Sequence, residues 1–227
     1  MIQAHSASLV YDDHGKSVFA CQEINLEIFK HEFVGILGPS GSGKSSLLYL
    51  LSGLKTATSG SVSYQGSSYA QQSDSARSQL RLSEFGFVFQ QSFLLGYLSA
   101  LENVLVAGAS DLERVESLLE SLGIADKRHR YPHELSGGEK QRFCVARALV
   151  RSPKVIFADE PTAALDHANG VQVVELLRQL RGEGALVMVT HDETMLQNAD
   201  RIIHIAEGNL VEDRPFEGTL REIPASP

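Results

Sequence analysis

The residues with the plainest chemistry lie at Gly38-Pro39-Ser40-Gly41-Ser42-Gly43-Lys44-Ser45, which matches G-x-x-x-x-G-K-[ST] in full. Glycines let backbone N–H groups turn inward around an anion, and a helix start adds partial positive charge at the same spot. Lys44 then reaches β- and γ-phosphates as a point charge, and the Ser45 hydroxyl is placed to ligate Mg²⁺. With Ser46 following, the run is a candidate nucleoside triphosphate site. A Gly/Ser-rich turn that binds nothing is the plainer alternative. Context weighs against it, because the apolar strand Val34 to Leu37 precedes the loop and a helix is expected from Ser45.

A second chemical feature is Lys154-Val155-Ile156-Phe157-Ala158-Asp159-Glu160, an apolar strand ending in two carboxylates. At the C-terminal edge of a parallel sheet they face the same crevice as the phosphate loop. Asp159 is expected to hold Mg²⁺, directly or through water. Glu160, on the other side of the strand tip, is expected to polarise an attacking water. The third feature is Leu135-Ser136-Gly137-Gly138-Glu139 ahead of a helix. Ser136 and Glu139 have capping-box spacing, so a capped helix start accounts for them. Two consecutive glycines add nothing to a cap, but they leave a helix N-terminus open to a close-packed phosphate. Two anion sites on one chain suggest that the second serves a neighbouring subunit's nucleotide.

The elements that must carry these residues follow from periodicity. Strands are expected at Ala7 to Tyr11, Phe19 to Ile28, Phe33 to Leu37, Ser61 to Tyr64 and Phe85 to Phe89. Gly66 to Ser83 is rich in Ser and Gln and reads as a weakly specified surface segment, partly helical. Leu101 to Leu122 reads as a helix with Val115, Leu118, Leu119 and Leu122 on one face, and Glu139 to Val150 as another. The apolar runs Val155 to Ala158, Ala185 to Val189 and Arg201 to Ile205 lack polar alternation, as parallel strands buried on both faces do. Val171 to Leu180 supplies the helix between the first two. The whole reads as a mostly parallel α/β sheet interrupted by a helical insertion near residues 91–150.

Composition narrows the classes. The 227 residues are 43% hydrophobic and 21% charged, with a formal net charge of -8. An acidic surface argues against a nucleic-acid partner, which needs clustered Lys and Arg. Lys127-Arg128-His129-Arg130 is one short basic run, read as a solvated loop. Cys21 and Cys144 have no zinc or disulfide spacing, so small core side chains in a reducing cytosol are expected. Residues 1–15 lack a signal-peptide pattern, and no apolar run reaches the roughly 18–20 residues of a membrane span. Any membrane role is expected to come from another chain.

LSGGEKQR, FADEPTAALD and VTHD, placed after a phosphate loop, resemble the nucleotide-binding domain of the ATP-binding cassette (ABC) family over nearly the whole chain. The resemblance implies a P-loop NTPase (RecA-like) core, an N-terminal antiparallel β subdomain and an inserted α-helical subdomain. Residues 1–90 and 151–227 would form core and β subdomain within a single domain spanning 1–227, and residues 91–150 the helical one. It also implies that Tyr11 stacks on adenine and that Gln90 links Mg²⁺ and the attacking water to a membrane partner. Lys44, Gln90, Glu160 and His191 become the catalytic set, His191 sensing the γ-phosphate; Ser45, Gln90 and Asp159 become the metal set. Leu135 to Glu139 would meet ATP on the opposite subunit, with Asp166 at the dimer interface. Tyr11 as an ordinary edge-strand aromatic, and His191 as a backbone hydrogen-bonder, remain open on their residues alone.

Within the family, FGFVFQQSFLLGYLSALENV resembles the lipoprotein-release and macrolide-export ATPases, although His31, Glu139 and Ala163-Ala164 depart from that group's usual pattern. The expected function is an ATP- and Mg²⁺-using ATPase. It would dimerise with a copy of itself or a paired ABC subunit and drive an integral membrane permease from the cytoplasmic face. A mechanotransmission ATPase controlling an external enzyme is the alternative; a soluble ABC protein of DNA repair or translation is disfavoured by the lack of coiled-coil insertions or tandem cassettes.

Overall fold

A computed structural model describes residues 1–108 and 111–216; the expected domain's last stretch, 217–227, lies outside the described residues. Two sheets are present. The smaller is antiparallel, in the order β2 (Lys16–Ile28), β1 (Ile2–Asp13), β4 (Ser59–Tyr64), β5 (Ser67–Ser68). The larger runs β10 (Asn209–Pro215), β9 (Arg201–Ala206), β3 (Phe33–Leu37), β8 (Ala185–Val189), β7 (Val155–Asp159), β6 (Phe85–Phe89). Neighbours from β9 to β6 pair in parallel, and β10 closes the edge as an antiparallel hairpin partner of β9.

The unbroken apolar runs now have their explanation. Every residue of β3, β7 and β8 is buried, and alternate side chains serve opposite faces of the sheet. Val155 and Phe157 point into one core with Leu47, Leu48, Leu50 and Leu51 of helix α1 (Lys44–Leu51). Ile156 and Ala158 point into the other, with Phe143, Cys144 and Val145 of a later helix. Both cysteines are free and buried; burial pushes the Cys21 thiol up to about 12 and Cys144 to about 11, which keeps them unreactive.

One expectation is filled in and one is corrected. The polar stretch 66–83 contains β5 and a short 3₁₀ turn, and then a full helix, α2 (Asp74–Glu84), none of whose residues is buried. Side-chain hydrogen bonds hold it: Ser73 caps it from Ala76 N, Arg77 donates to the Tyr69 and Gln72 carbonyls, and Arg81 donates to the Gly53 carbonyl. Apolar periodicity could not reveal a helix stabilised this way. The single helix expected over 101–122 is two, α3 (Ala100–Leu105) and α4 (Leu112–Ser121); residues 109–110 between them lie outside the described set. Gly108, at a φ of 87°, turns the chain after α3, its carbonyl held by Arg151, and Asp111 caps α4. Helices α5 (Gly137–Leu149) and α6 (His167–Leu180) follow, each beginning earlier than the apolar pattern suggests because its cap is polar. Among the described residues no helix is long and apolar enough to cross a membrane.

The small sheet depends on a bulge in β1 between His5 and Ser8, opposite Gly60 in β4. Gly60 sits at a φ of 71°, and a Cβ there would lie 2.1 Å from the Ser6 carbonyl oxygen. Gly60→Ala therefore meets both left-handed strain and a backbone clash. A loss of about 2–4 kcal/mol in stability is expected, read as a lower urea midpoint with nucleotide affinity unchanged once folded.

Candidate functional site

Strand β3 delivers the chain to Gly38, and α1 begins six residues later. The residue capping α1 is Gly43, at a φ of 102°, with no side-chain cap hydrogen bond. A Cβ at Gly43 would lie 2.1 Å from the Ala20 carbonyl oxygen, so close packing demands glycine and leaves the first-turn N–H groups open. The loop is tied down by Gly208 N donating to the Ser42 carbonyl and Gln22 N to the Gly208 carbonyl. Lys44 is buried, its Nζ donating to the carbonyls of Gly38 at 2.9 Å and Pro39 at 3.0 Å. Ser42 Oγ is buried without a hydrogen-bond partner. Open amides, a buried ammonium and an orphaned hydroxyl around one turn fit a polyphosphate.

The acidic strand end comes to this loop through sheet register. Asp159 pairs with Phe89 of β6 and Val189 of β8. Its Oδ1 accepts from Ser45 Oγ at 2.8 Å, and its Oδ2 from the Tyr49 hydroxyl at 3.1 Å. Burial, together with the Asp159 charge, pushes the Tyr49 phenol up to about 12, so it stays a donor at neutral pH. Ser45 and Asp159 offer hard oxygen ligands of the kind Mg²⁺ takes, and the residues fit that ion.

Glu160 leaves the strand at a φ of 48°, its N–H donating to the Val189 carbonyl at 2.9 Å. Its Oε2 lies 2.9 Å from His191 Nδ1. A carboxylate only accepts, so this pairing places the proton on Nδ1 and leaves Nε2 free to face outward. The Glu160 side chain is 15% exposed and His191 66%, so the carboxylate is shielded while its partner reaches solvent. Thr190 fixes the His191 turn: its N–H donates to the Ile36 carbonyl and its hydroxyl accepts from Asp192 N. A cleft of about 400 Å³ is lined by Tyr11, Ser40, Lys44, Ser45, Gln90 and Glu160, with Gly41, Gly43 and Ser46 also on its wall. Tyr11 pairs with Val18 across β1 and β2, and Lys55 Nζ lies 5.9 Å from its ring centroid.

A separate cleft of about 340 Å³ is lined by Ser136, Gly137, Gly138, Glu139, Asp166 and Asn169, among others. Here the helix start is capped: Ser136 Oγ accepts from Glu139 N at 3.3 Å and Glu139 Oε2 from Ser136 N at 2.8 Å. The Ser136 backbone N–H holds the Glu139 carboxyl below its usual range. Methyl groups added at Gly137 and Gly138 would meet nothing nearer than 3.7 Å, so internal packing does not call for glycine there. Asp166 caps α6 from Asn169 N. Leu135 does not line the cleft; it is buried in the core. The two clefts have no lining residue in common. Tyr49 escaped the sequence reading, although its four-residue spacing from Ser45 puts both on one helix face.

The sequence pattern of the ABC transporter family matches residues 21–163. The uncharacterized ABC transporter ATP-binding protein MJ1508 of Methanocaldococcus jannaschii is 41% identical over 220 residues, covering 93% of this chain and 98% of that one. The macrolide export ATP-binding/permease protein MacB of Mannheimia succiniciproducens is 42% identical over 231 residues, covering 97% of this chain. The chain spans only 36% of that protein's length. Among solved structures, the dimeric post-hydrolysis state of the ATP-binding cassette MJ0796 bound to ADP and Pi has a TM-score of 0.89 at 33% identity, covering 96% of this chain and 100% of that one.

Removing the buried ammonium tests the phosphate loop. Lys44→Ala should keep its fold by circular dichroism and weaken triphosphate binding by about 10- to 100-fold, the worth of a charge-assisted hydrogen bond. A fluorescent-nucleotide titration equal to the unsubstituted protein would count against the site.

Proposed function

The chain belongs to the ABC transporter family as its ATP-hydrolysing cassette, and we propose that it closes with a second copy around two MgATP molecules to drive a membrane permease in export or extraction. One observation carries the reading: the Glu160–His191 pair stands beside the Ser45–Asp159 hydrogen bond at one sheet edge. That neighbourhood supports a base acting beside a metal and phosphate site.

The loop amides and Lys44 hold the β- and γ-phosphates, and Tyr11, which lines the same cleft, stacks on the adenine. Ser45, Asp159 and Gln90 would hold Mg²⁺, which would offset negative charge on the phosphate oxygens. Glu160 orients a water and takes its proton as the oxygen attacks the γ-phosphorus. The bond from that phosphorus to the bridging oxygen breaks, and ADP leaves with the electron pair. His191 donates to Glu160 through Nδ1 and so holds the carboxylate toward the attacking water.

The second cleft supplies the partner half. Ser136, Gly137 and Gly138 would contact the γ-phosphate bound by the other copy, with Asp166 and Glu139 beside it. Absence of any shared lining residue between the clefts supports this, as does the dimeric form of the MJ0796 cassette. Residues 91–150 act as the helical subdomain that carries this half. MacB is described as an ATP-binding and permease protein, and a membrane permease of that kind is the part this cassette would drive. The cassette sits on the cytoplasmic face of the membrane through it.

Glu160→Gln should retain ATP binding, lower phosphate release by about 10²- to 10⁴-fold, and accumulate an ATP-bound dimer on size exclusion. Unchanged phosphate release would overturn the assignment of Glu160. A protein that stays monomeric in saturating MgATP, alone and with its membrane partner, would overturn the two-copy site.

A further inference from the structure

The proposed reaction makes no use of Tyr49, yet its hydroxyl meets the Asp159 carboxylate directly. Ser45 and Tyr49 stand four residues apart on α1, on one helix face. Their two hydroxyls reach the two different oxygens of Asp159, Ser45 at Oδ1 and Tyr49 at Oδ2. The last torsion of an aspartate is soft and broad, so one donor would leave the carboxylate free to swivel about its axis. Two donors from one rigid helix fix the plane. Asp159 itself is buried at the tip of β7.

A cation taken up at Ser45 binds a lone pair of its hydroxyl oxygen, whose proton can stay donated to Asp159 Oδ1, so the direction of that carboxylate governs both contacts. The bond from Tyr49, made to Oδ2, lies outside them. We propose that Tyr49 is a positioning residue for the metal site: it holds Oδ2 so that Oδ1 stays directed at Ser45 and the cation. The inference rests on the proposed role of Ser45 and Asp159 and extends it to a partner behind them, since the groups that hydrogen-bond metal-ligating carboxylates orient them and set much of their affinity.

Tyr49→Phe removes only the hydroxyl and keeps the ring. The quantity to measure is the ratio of ATP affinities in EDTA and in saturating Mg²⁺, by titration of a fluorescent ATP analogue into the full chain, with thermal unfolding as a check. The expected result is an unchanged affinity in EDTA, an unchanged melting temperature to within a few degrees, and about a tenfold smaller gain on adding Mg²⁺. Asp159→Asn, which alters the carboxylate itself, should lose at least as much of the gain. If Tyr49→Phe shows the same Mg²⁺ gain as the unsubstituted protein, Tyr49 does not position the metal. If it weakens binding equally with and without Mg²⁺, its role is to support the loop and the proposal is overturned. An unsubstituted protein with no Mg²⁺ gain at all would instead sink the metal assignment of Ser45 and Asp159.

Discussion

Backbone hydrogen bonds between β3, β8, β7 and β6 decide which strand ends share an edge, and so which loops meet. Ile36, Val189, Asp159 and Phe89 form a single row across the sheet. The chain beyond that row holds Gly38, His191, Glu160 and Gln90, four residues far apart in sequence. A slip of one residue between any two strands would turn every side chain of the slipped strand to the other face. It would move Phe157 out of the core it fills into the opposite one and take Asp159 away from Ser45. Two cores, one on each side of the sheet, hold the register, and the geometry of the site follows from it.

The two helix starts facing the two clefts are built differently. That of α1 has no side-chain cap, because Gly43 must pack against the Ala20 carbonyl, and its orphaned amides are left for a ligand. That of α5 is closed on itself by Ser136 and Glu139. Its glycines keep the approach to that helix clear while the cap satisfies the amides. One start offers hydrogen bonds to phosphate within the chain, and the other offers access. The difference follows from where each helix sits: α1 is wedged beneath a strand end, whereas α5 begins at the surface.

Much of this was legible in the sequence. The loop at Gly38 to Ser45 and the acidic strand end announced themselves, because both depend on local order: a buried strand, a turn and a helix. The parallel sheet was legible from apolar runs without alternation. Elements held by polar contacts were not. Helix α2 has no buried face to print a period on the sequence, and the break between α3 and α4 rests on a glycine and a cap within an apolar pattern that reads as continuous. The Tyr49–Asp159 contact joins residues 110 positions apart. Only the fold brings them together, and the aromatic in an otherwise leucine-rich helix looks like core packing until the strand end is in place.

Glu160 stands in the left-handed region, where a residue with a side chain costs about 1–2 kcal/mol, and the bond from its N–H to Val189 secures it there. Main-chain shape, inherited from the sheet, thus sets the direction of the carboxylate, and the scaffold asks nothing of the acid itself. A one-base change from Glu to Gln would pass unnoticed by folding. Under the role proposed for Glu160, lineages could in this way drift into well-folded pseudoenzymes, proteins that still load nucleotide and have ceased to turn it over.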